Sequence, residues 1–584
     1  MLTGLSLTFI ALLGLLPYIS TIKLPPIPSF WAEWVAVVLV IGCIVSLRKR
    51  VERPIAGSAT RPVAVPVVVL AFGALAAALL LQLLLGQPMF RGAPLLTLLA
   101  LVLATLVCLA GTRVREAGEA TRLLDVWSIG LLIALVLNLL AVLGEREGLH
   151  LYIYQLGTRT PPLRAEGLIG QPNQLAVFAG LASVAAHYLW MRGKLSSIGH
   201  VLVSLVAGIL IAASASRAGA LLWILGAALS ALALREHPLR RQGWRLLVVG
   251  TALFFAAQVG WKLLQSHAAV NISVLRSDSL GRIELLRDSW ALIRLHPWSG
   301  VGYGNFMGAR WAELSTSLFE PAANHAHNLV AELLAELGVI PGALVLIPLG
   351  WALWNCVRVV TRRGVAAEQF LAASAALLLA GYSLVEYPLW YTFFMLPFAL
   401  LLGLVEQHDL TLRLSPAPRL LRGIGWAIAL AICVGLAFDY HRSEELYSNL
   451  ELQQRESKGG VVRIPLEEAR RVSALSAFDM YANLMYSRAM APDGLFMGYK
   501  VEIAERATMG MTNQETIARQ VALLVVASDL DAARVLLART HRNPDLERST
   551  RDILSRLSPL HPALGAFVKA LPALPAASSV TLGQ

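Results

Sequence analysis

The sequence predicts an all-α, polytopic membrane protein of about thirteen transmembrane helices, with a long outer loop and a C-terminal soluble helical domain. Three observations predict it. Hydrophobic residues make up 57% of the 584 and charged residues only 15%, where a water-soluble globule carries nearer a quarter. Apolar stretches close to the roughly 20 residues that a helix needs to cross a bilayer recur along most of the chain, and its mean hydropathy is +0.63. Beyond Phe438 the pattern changes, and Glu444, Glu445, Glu451, Glu456, Glu467 and Glu468 alternate with Arg, Leu and Ala at helical spacing.

The first apolar stretch, Leu2 to Ile22, has no small-residue cleavage site before Lys23 and is followed by a second from Trp34 to Leu47. It reads as a retained helix rather than a signal peptide. Further spans are expected at about 63–85, 94–111, 123–143, 174–191, 195–213, 218–234, 246–264, 337–357, 367–385, 392–405 and 423–438. Orientation follows from the short loops, because Lys and Arg are retained on the cytoplasmic side. Alternate loops carry Arg48, Lys49, Arg50 and Arg53; Arg113, Arg115 and Arg122; Arg192 and Lys194; Arg235, Arg240, Arg241 and Arg245; Arg358, Arg362 and Arg363; and Arg413, Arg419 and Arg422. The opposite loops hold little more than Lys23, Arg91 and Arg217. The amino terminus is therefore expected inside, and the loop from about 265 to 326 outside. An odd number of spans also places the tail outside.

This arrangement accounts for the basic balance, 49 Lys+Arg against 37 Asp+Glu, without nucleic acid, since the cations sit in short clusters between spans. Cys43, Cys108, Cys356 and Cys433 all fall inside apolar segments at no metal-ligand spacing, which argues against disulfides and zinc. Three regions result: N-terminal transmembrane helices over 1–164, a membrane domain over 165–440 that includes the outer loop 265–326, and a soluble helical domain over 441–584. In the last, 514–526, 528–540 and 545–557 read as amphipathic helices, and the Pro-, Ala- and Ser-rich end as a loose terminus.

Ionisable residues near membrane depth are expensive, and almost all of them gather on the outer side. Gly170-Gln171-Pro172-Asn173-Gln174 is an amide cluster at a helix start, where turn and cap chemistry is the plain alternative. Arg217 stands among small residues that permit a recessed pocket, although a snorkelling anchor would look the same. The outer loop carries Gly281-Arg282, Trp290 and the run His296-Pro-Trp-Ser-Gly-Val-Gly-Tyr-Gly-Asn-Phe306, whose glycines read as a shaped turn, because no strand–helix unit surrounds them. His325 and His327 follow. No Cys and no H-E-x-x-H pattern accompanies them, so proton abstraction from a hydroxyl suits them better than metal binding, histidine being the side chain that titrates near neutrality. Glu332 and Glu336, four apart on one helix face, are expected to line a wet cavity or pair with cations. Glu386 lies in a short outer turn beside Tyr387, Trp390 and Tyr391.

Arg217, Gly281-Arg282, the run 296–306 and His327-Asn328 resemble the O-antigen ligase/O-antigen polymerase superfamily, bacterial inner-membrane enzymes that transfer glycans from undecaprenyl diphosphate on the periplasmic face. Gly170-Gln171-Pro172-Asn173 and Glu386-Tyr-Pro-Leu-Trp-Tyr391, with the soluble tail, are similar to its O-linked protein-glycosylating branch, the PglL-type oligosaccharyltransferases. The likeness covers about 165–405 well and the rest loosely. The ligase pattern of His, then Asn, nine residues and Gly fits His327, Asn328 and Gly338; the small residue expected three beyond is Pro341, with Gly342 one later. The resemblance implies that His327, with His325 as the alternative, activates the acceptor, that Arg217 and Arg282 hold the lipid diphosphate, and that Gln171, Asn173, Asn328, Glu386 and Tyr391 serve the acceptor site.

The chemistry of the residues agrees. A lipid diphosphate is already a good leaving group, so the protein must neutralise departing charge, which arginine does through bidentate contacts, and deprotonate a hydroxyl, which a positioned histidine does. The outer loops show no D-x-D and no W-W-D, so a metal-independent transfer without cofactor is expected. The donor would be an undecaprenyl-diphosphate-linked glycan and the acceptor an exported protein such as a pilin. The alternatives are an O-antigen ligase or polymerase acting on lipid A-core or another glycan, and a lipid-linked glycan transporter, which would carry broken helices near the midplane.

Overall fold

The computed structural model describes residues 2–47, 61–149, 164–265, 272–314, 323–405, 409–414, 419–456 and 476–572. The basic cluster at 48–53, Glu467, Glu468 and the end of the chain from 573 lie outside them. Among the described residues the chain is almost wholly helical. The membrane part comprises α1 Gly4–Leu13, α2 Phe30–Ser46, α3 Val68–Leu84, α4 Gly92–Glu116, α5 Ala120–Arg146, α6 Pro172–Met191, α7 Ser197–Ala213, α8 Arg217–Ala233, α9 Arg240–Gln265, α10 Ile272–Leu295, α11 Phe306–Glu313, α12 Leu329–Leu337, α13 Val339–Thr361, α14 Ala367–Tyr382, α15 Thr392–Leu404 and α16 Arg419–Glu456. Seven helices are long and apolar enough to cross a membrane and six more are apolar but shorter. They coincide with the thirteen stretches read from hydropathy, and the protein is a multi-pass membrane protein.

α6 is the centre of the bundle, packed against α5, α7, α8 and α14. Most of its length is buried, because Ala176, Ala179, Gly180, Ala182, Ala185 and Ala186 leave room for backbones to approach, as small residues do between membrane helices. The tightest crossing is that of α4 with α15: a Cβ on Gly403 would stand 2.1 Å from the carbonyl oxygen of Cys108, and one on Gly111 2.6 Å from that of Leu400. All four cysteines are buried and free.

Three features differ from the sequence reading. Much of the outer loop 265–326 is helical, as α10 and α11. The last span does not end at Phe438 but continues in α16 to Glu456, so the boundary expected at 441 falls inside one helix. A two-stranded antiparallel ribbon pairs Arg61–Val65 with Leu410–Leu414, Val63 opposite Leu412, where the apolar count had begun a span at 63.

The tail forms short helices at Asp479–Ala489, Met497–Gly510, Gln514–Val526, Leu530–Ala538, Pro544–Leu557 and Pro562–Ala570. Their starts are local chemistry: Asn543 accepts from the Leu546 N–H at 3.0 Å with Pro544 in the first helical position. The tail sits on α11 and on the turn before α4. Trp311 of α11 is buried in its apolar core with Ile517 and Val521, Asp479 accepts from the backbone N–H groups of Arg91 and Gly92 at 2.7 and 3.2 Å, and Arg506 donates to the Met89 carbonyl at 3.1 Å.

Candidate functional site

The helix ends facing the tail side converge on one carboxylate. Glu386, in the turn between α14 and α15, is 2% exposed. It accepts from Asn173 Nδ2 at 2.8 Å, from the Arg282 guanidinium, and from His327 Nδ1 at 3.0 Å. A carboxylate can only accept, so this contact puts the proton on Nδ1 and leaves the Nε2 lone pair of a neutral His327 for another partner. The ring lies 4.9 Å from that of Tyr387. His327 sits at φ 52°, the left-handed region that a non-glycine residue seldom occupies outside turns and functional sites.

Asn173 and His327 are delivered by helix starts, Asn173 in the first turn of α6 and His327 just before α12, whereas Arg282 comes from the middle of α10. Gln171 caps α6, its Oε1 accepting from the Gln174 N–H at 2.6 Å. The turn before it is held by buried Asn138 of α5, whose Oδ1 takes the Leu168 N–H at 2.9 Å. Asn173 Oδ1 accepts from Arg164 at 2.6 Å, and the Arg164 Nε donates to the Ser214 carbonyl at 2.9 Å. The Tyr382 hydroxyl donates to the Asn173 carbonyl at 3.0 Å and lies 3.2 Å from Ser216 Oγ, the cap of α8. Gln171, Asn173, Gln174, Tyr382, Glu386, Tyr387 and Tyr391 line a small cavity. Burial, with Tyr387 beside it, pushes the Tyr391 phenol well above its ordinary value.

Other expected residues take different places. Arg217 is the first residue of α8 and is exposed rather than recessed. Asn328 gives both ends of its amide to backbone, accepting the Ala331 N–H and donating to the Leu384 carbonyl, each at 2.9 Å; it caps α12 and ties it to the Glu386 turn. Its place on the ligase pattern is followed at Pro341 by a residue in the first turn of α13, where proline is tolerated. His325 Nδ1 lies 2.5 Å from Glu332 Oε1, and the ring packs on Tyr387 and Trp390. Of the two carboxylates expected to line a wet cavity or pair with cations, Glu332 meets His325 and also accepts the Ala326 N–H at 3.2 Å, and Glu336 accepts the Gly304 N–H at 3.0 Å. Burial, and then the neighbouring Glu332, push the Glu336 carboxyl well above the usual range. The glycines of the 296–306 run do shape a turn, Gly300, Gly302 and Gly304 having φ of 64°, 91° and 78°. A Cβ on Gly300 would strike the Glu336 carbonyl at 2.2 Å.

Arg164 and Tyr382 were not singled out in the sequence. Arg164 had a signal, being an arginine on the face where cations are scarce; Tyr382, at the end of an apolar span, had none. Among the described residues no group of three or more His, Cys, Asp or Glu side chains is placed to hold a metal ion.

Residues 202–347 match the family model described as O-Antigen ligase, and residues 370–542 the one described as Virulence factor membrane-bound polymerase, C-terminal. The first match contains Arg217, Arg282, His325, His327 and Asn328, the second Glu386, Tyr391 and most of the tail. Two neighbouring stretches of the chain are thus similar to O-antigen ligase and polymerase proteins, in agreement with the likeness read from the sequence. Among curated proteins, the General O-oligosaccharyltransferase of Acinetobacter baylyi is 25% identical over 297 residues, covering 50% of this chain and 50% of that relative. The match thus spans about half the length of the relative.

Proposed function

We propose that the chain transfers a glycan en bloc from undecaprenyl diphosphate to Ser or Thr hydroxyls of exported proteins, pilin-like acceptors among them, on the periplasmic face of the bacterial inner membrane. The observation that carries the reading is the convergence of His327, Arg282 and Asn173 on buried Glu386. With Nδ1 held by Glu386, His327 Nε2 takes the proton of the acceptor hydroxyl as its oxygen bonds to the anomeric carbon. The bond from that carbon to the diphosphate breaks, and the leaving group carries off the electron pair. Arg282 presents five N–H donors, so its contact with Glu386 leaves others to meet phosphate oxygens, and exposed Arg217 supplies the second guanidinium of the clamp. The amides of Gln171 and Asn173 and the Tyr391 hydroxyl border the cavity in which the acceptor would lie. No step needs a metal or cofactor.

The match to an O-antigen ligase model supports a second reading, in which the acceptor is a sugar hydroxyl on lipid A-core or on another glycan, with the same base and clamp. Expression in a bacterium that lacks native ligases but makes a lipid-linked glycan, with and without a pilin, separates the two. Glycan on the pilin is the expected result; glycan on lipid A-core alone would overturn the protein acceptor.

A further inference from the structure

From Gly281 to its end at Leu295, α10 has an outer face unlike that of a helix bathed in water. Leu285, Leu292 and Ile293 are buried in a cluster with Phe306 and Ala309 of α11 and Ala335 of α12. The opposite side presents Ile283, Leu286, Arg287, Trp290 and Arg294, all exposed, at the spacing that puts them on one helix face. Trp290 is 62% exposed, and Trp298, in the turn that follows, 71%. The acidic residues of this stretch lie off the face. Asp288 is buried and accepts from Arg310 Nε at 2.9 Å, and Glu284 stands about 100° round the helix from Ile283. A water-facing stripe is ordinarily polar. A stripe of Ile, Leu, Trp and Arg without an acid has the composition of a helix at a membrane surface, where indoles sit at headgroup level and arginines reach lipid phosphates.

The fold sets α10 at that depth. At its C-terminal end the Pro297 carbonyl accepts the Val339 N–H at 2.8 Å, and Val339 is the first residue of α13, one of the seven helices long and apolar enough to cross a membrane. A Cβ on Gly338 would stand 2.5 Å from the Trp298 carbonyl oxygen, so Trp298 lies at the mouth of α13, whose first exposed residues, Val339, Ile340, Leu344 and Ile347, are all apolar. Arg282 is 13 residues before Leu295, about 20 Å at 1.5 Å per residue. There the helix is held by Glu386, in the turn between α14 and α15. With both ends tied to the tail-side ends of apolar helices, α10 runs across those ends rather than away from them. Trp298 joins its exposed apolar residues to those of α13.

We propose that α10 is an interfacial helix, seated in the headgroup region of the leaflet on the tail side, with Ile283, Leu286 and Trp290 among the upper acyl chains and Arg287 and Arg294 on the phosphates of anionic phospholipids. Arg282, on the same helix, then meets Glu386 at the depth of lipid phosphates. The inference rests on the fold and not on the reaction proposed above. Because the four native cysteines are buried, single exposed cysteines can be labelled selectively. The test is spin-label depth measurement on full-length Leu286→Cys and Trp290→Cys in nanodiscs of phosphatidylethanolamine and phosphatidylglycerol, by relaxation with oxygen, which enters acyl chains, and with a nickel chelate, which stays in water. Leu495→Cys in the tail and Leu344→Cys on α13, both at exposed positions, give the aqueous and lipid references. The ratio of oxygen to nickel relaxation at 286 and 290 is expected roughly fivefold or more above that at 495, towards that at 344. In the Arg287→Glu/Arg294→Glu background the ratio at 286 should fall about twofold or more, as the helix leaves an anionic surface. Ratios equal to that at 495 would put the face in water and overturn the proposal. So would protection from both reagents, the mark of a face covered by protein, and an unchanged ratio in the glutamate background would overturn the phosphate contacts.

Discussion

Two histidines two residues apart each meet a glutamate, and the pairs differ in what else the glutamate does. His325 and Glu332 are seven positions apart, and the carboxylate also accepts the Ala326 N–H. That pair closes a local turn, its ring packed between Tyr387 and Trp390. His327 and Glu386 are 59 positions apart, and Glu386 collects Asn173 from α6 and Arg282 from α10 at the edge of a cavity. The local pair holds a loop; the other gathers distant elements round an imidazole on a left-handed residue, the arrangement that the proposed base requires. Sequence adjacency hides the distinction, because only partner identity separates the two rings.

The largest expected effect is that of His327→Ala, a loss of ~10²–10⁴ in glycan transfer with membrane insertion and elution profile unchanged. His325→Ala should lower transfer only a few-fold while lowering the unfolding temperature. A dead His325→Ala beside an active His327→Ala would reverse the comparison. Glu386→Gln comes next: its amide nitrogen can face Nδ1 and favour the wrong tautomer, so transfer should fall by about 10². If it transfers normally, Glu386 is scaffold like Glu332.

Trp311→Ala tests whether the tail matters to the distant pair. Removing a buried indole costs ~3–5 kcal/mol, read as earlier protease cleavage within 476–572. Because Arg310 beside it pairs with Asp288 of α10 at 2.9 Å, and α10 carries Arg282, transfer should fall too, by less than tenfold. The smallest effect belongs to a local pair of the tail. Burial alone would raise the Glu515 carboxyl, but Arg488 and Arg519 more than reverse this and hold it below its ordinary value. The stability it contributes is therefore complete above the unfolded carboxylate value, roughly pH 4.3, and is lost as pH falls through the lower folded value. Melting curves from pH 7 to 3 should show a shallower acid loss in Glu515→Gln and no change in transfer at neutral pH.

Hydropathy made the thirteen apolar helices legible, and the Gln-Pro start made the cap of α6 legible, because both are properties of consecutive residues. The site was legible in part. Gln171, Asn173, His327 and Glu386 are polar residues at the ends of apolar stretches, Arg282 lies in the loop 265–326, and the fold brings them together. What could not be read is pairing at long range: Arg164 reaching Asn173 and the Ser214 carbonyl, Asn328 turned to backbone, or the ribbon that joins Val63 to Leu412. Arg217 was placed in a recess because its neighbours are small, whereas those neighbours pack the helix and leave the guanidinium outside.

The central claim is that His327 and Glu386 act as one unit, and a double-mutant cycle on transfer tests it most directly. Rates would be measured for His327→Ala, Glu386→Gln and the double variant with a fixed lipid-linked donor and acceptor. Residues that act together are strongly non-additive. The account predicts a double variant no slower than His327→Ala alone, since the carboxylate has nothing left to orient. Losses that multiply would contradict it and make Glu386 an independent contributor.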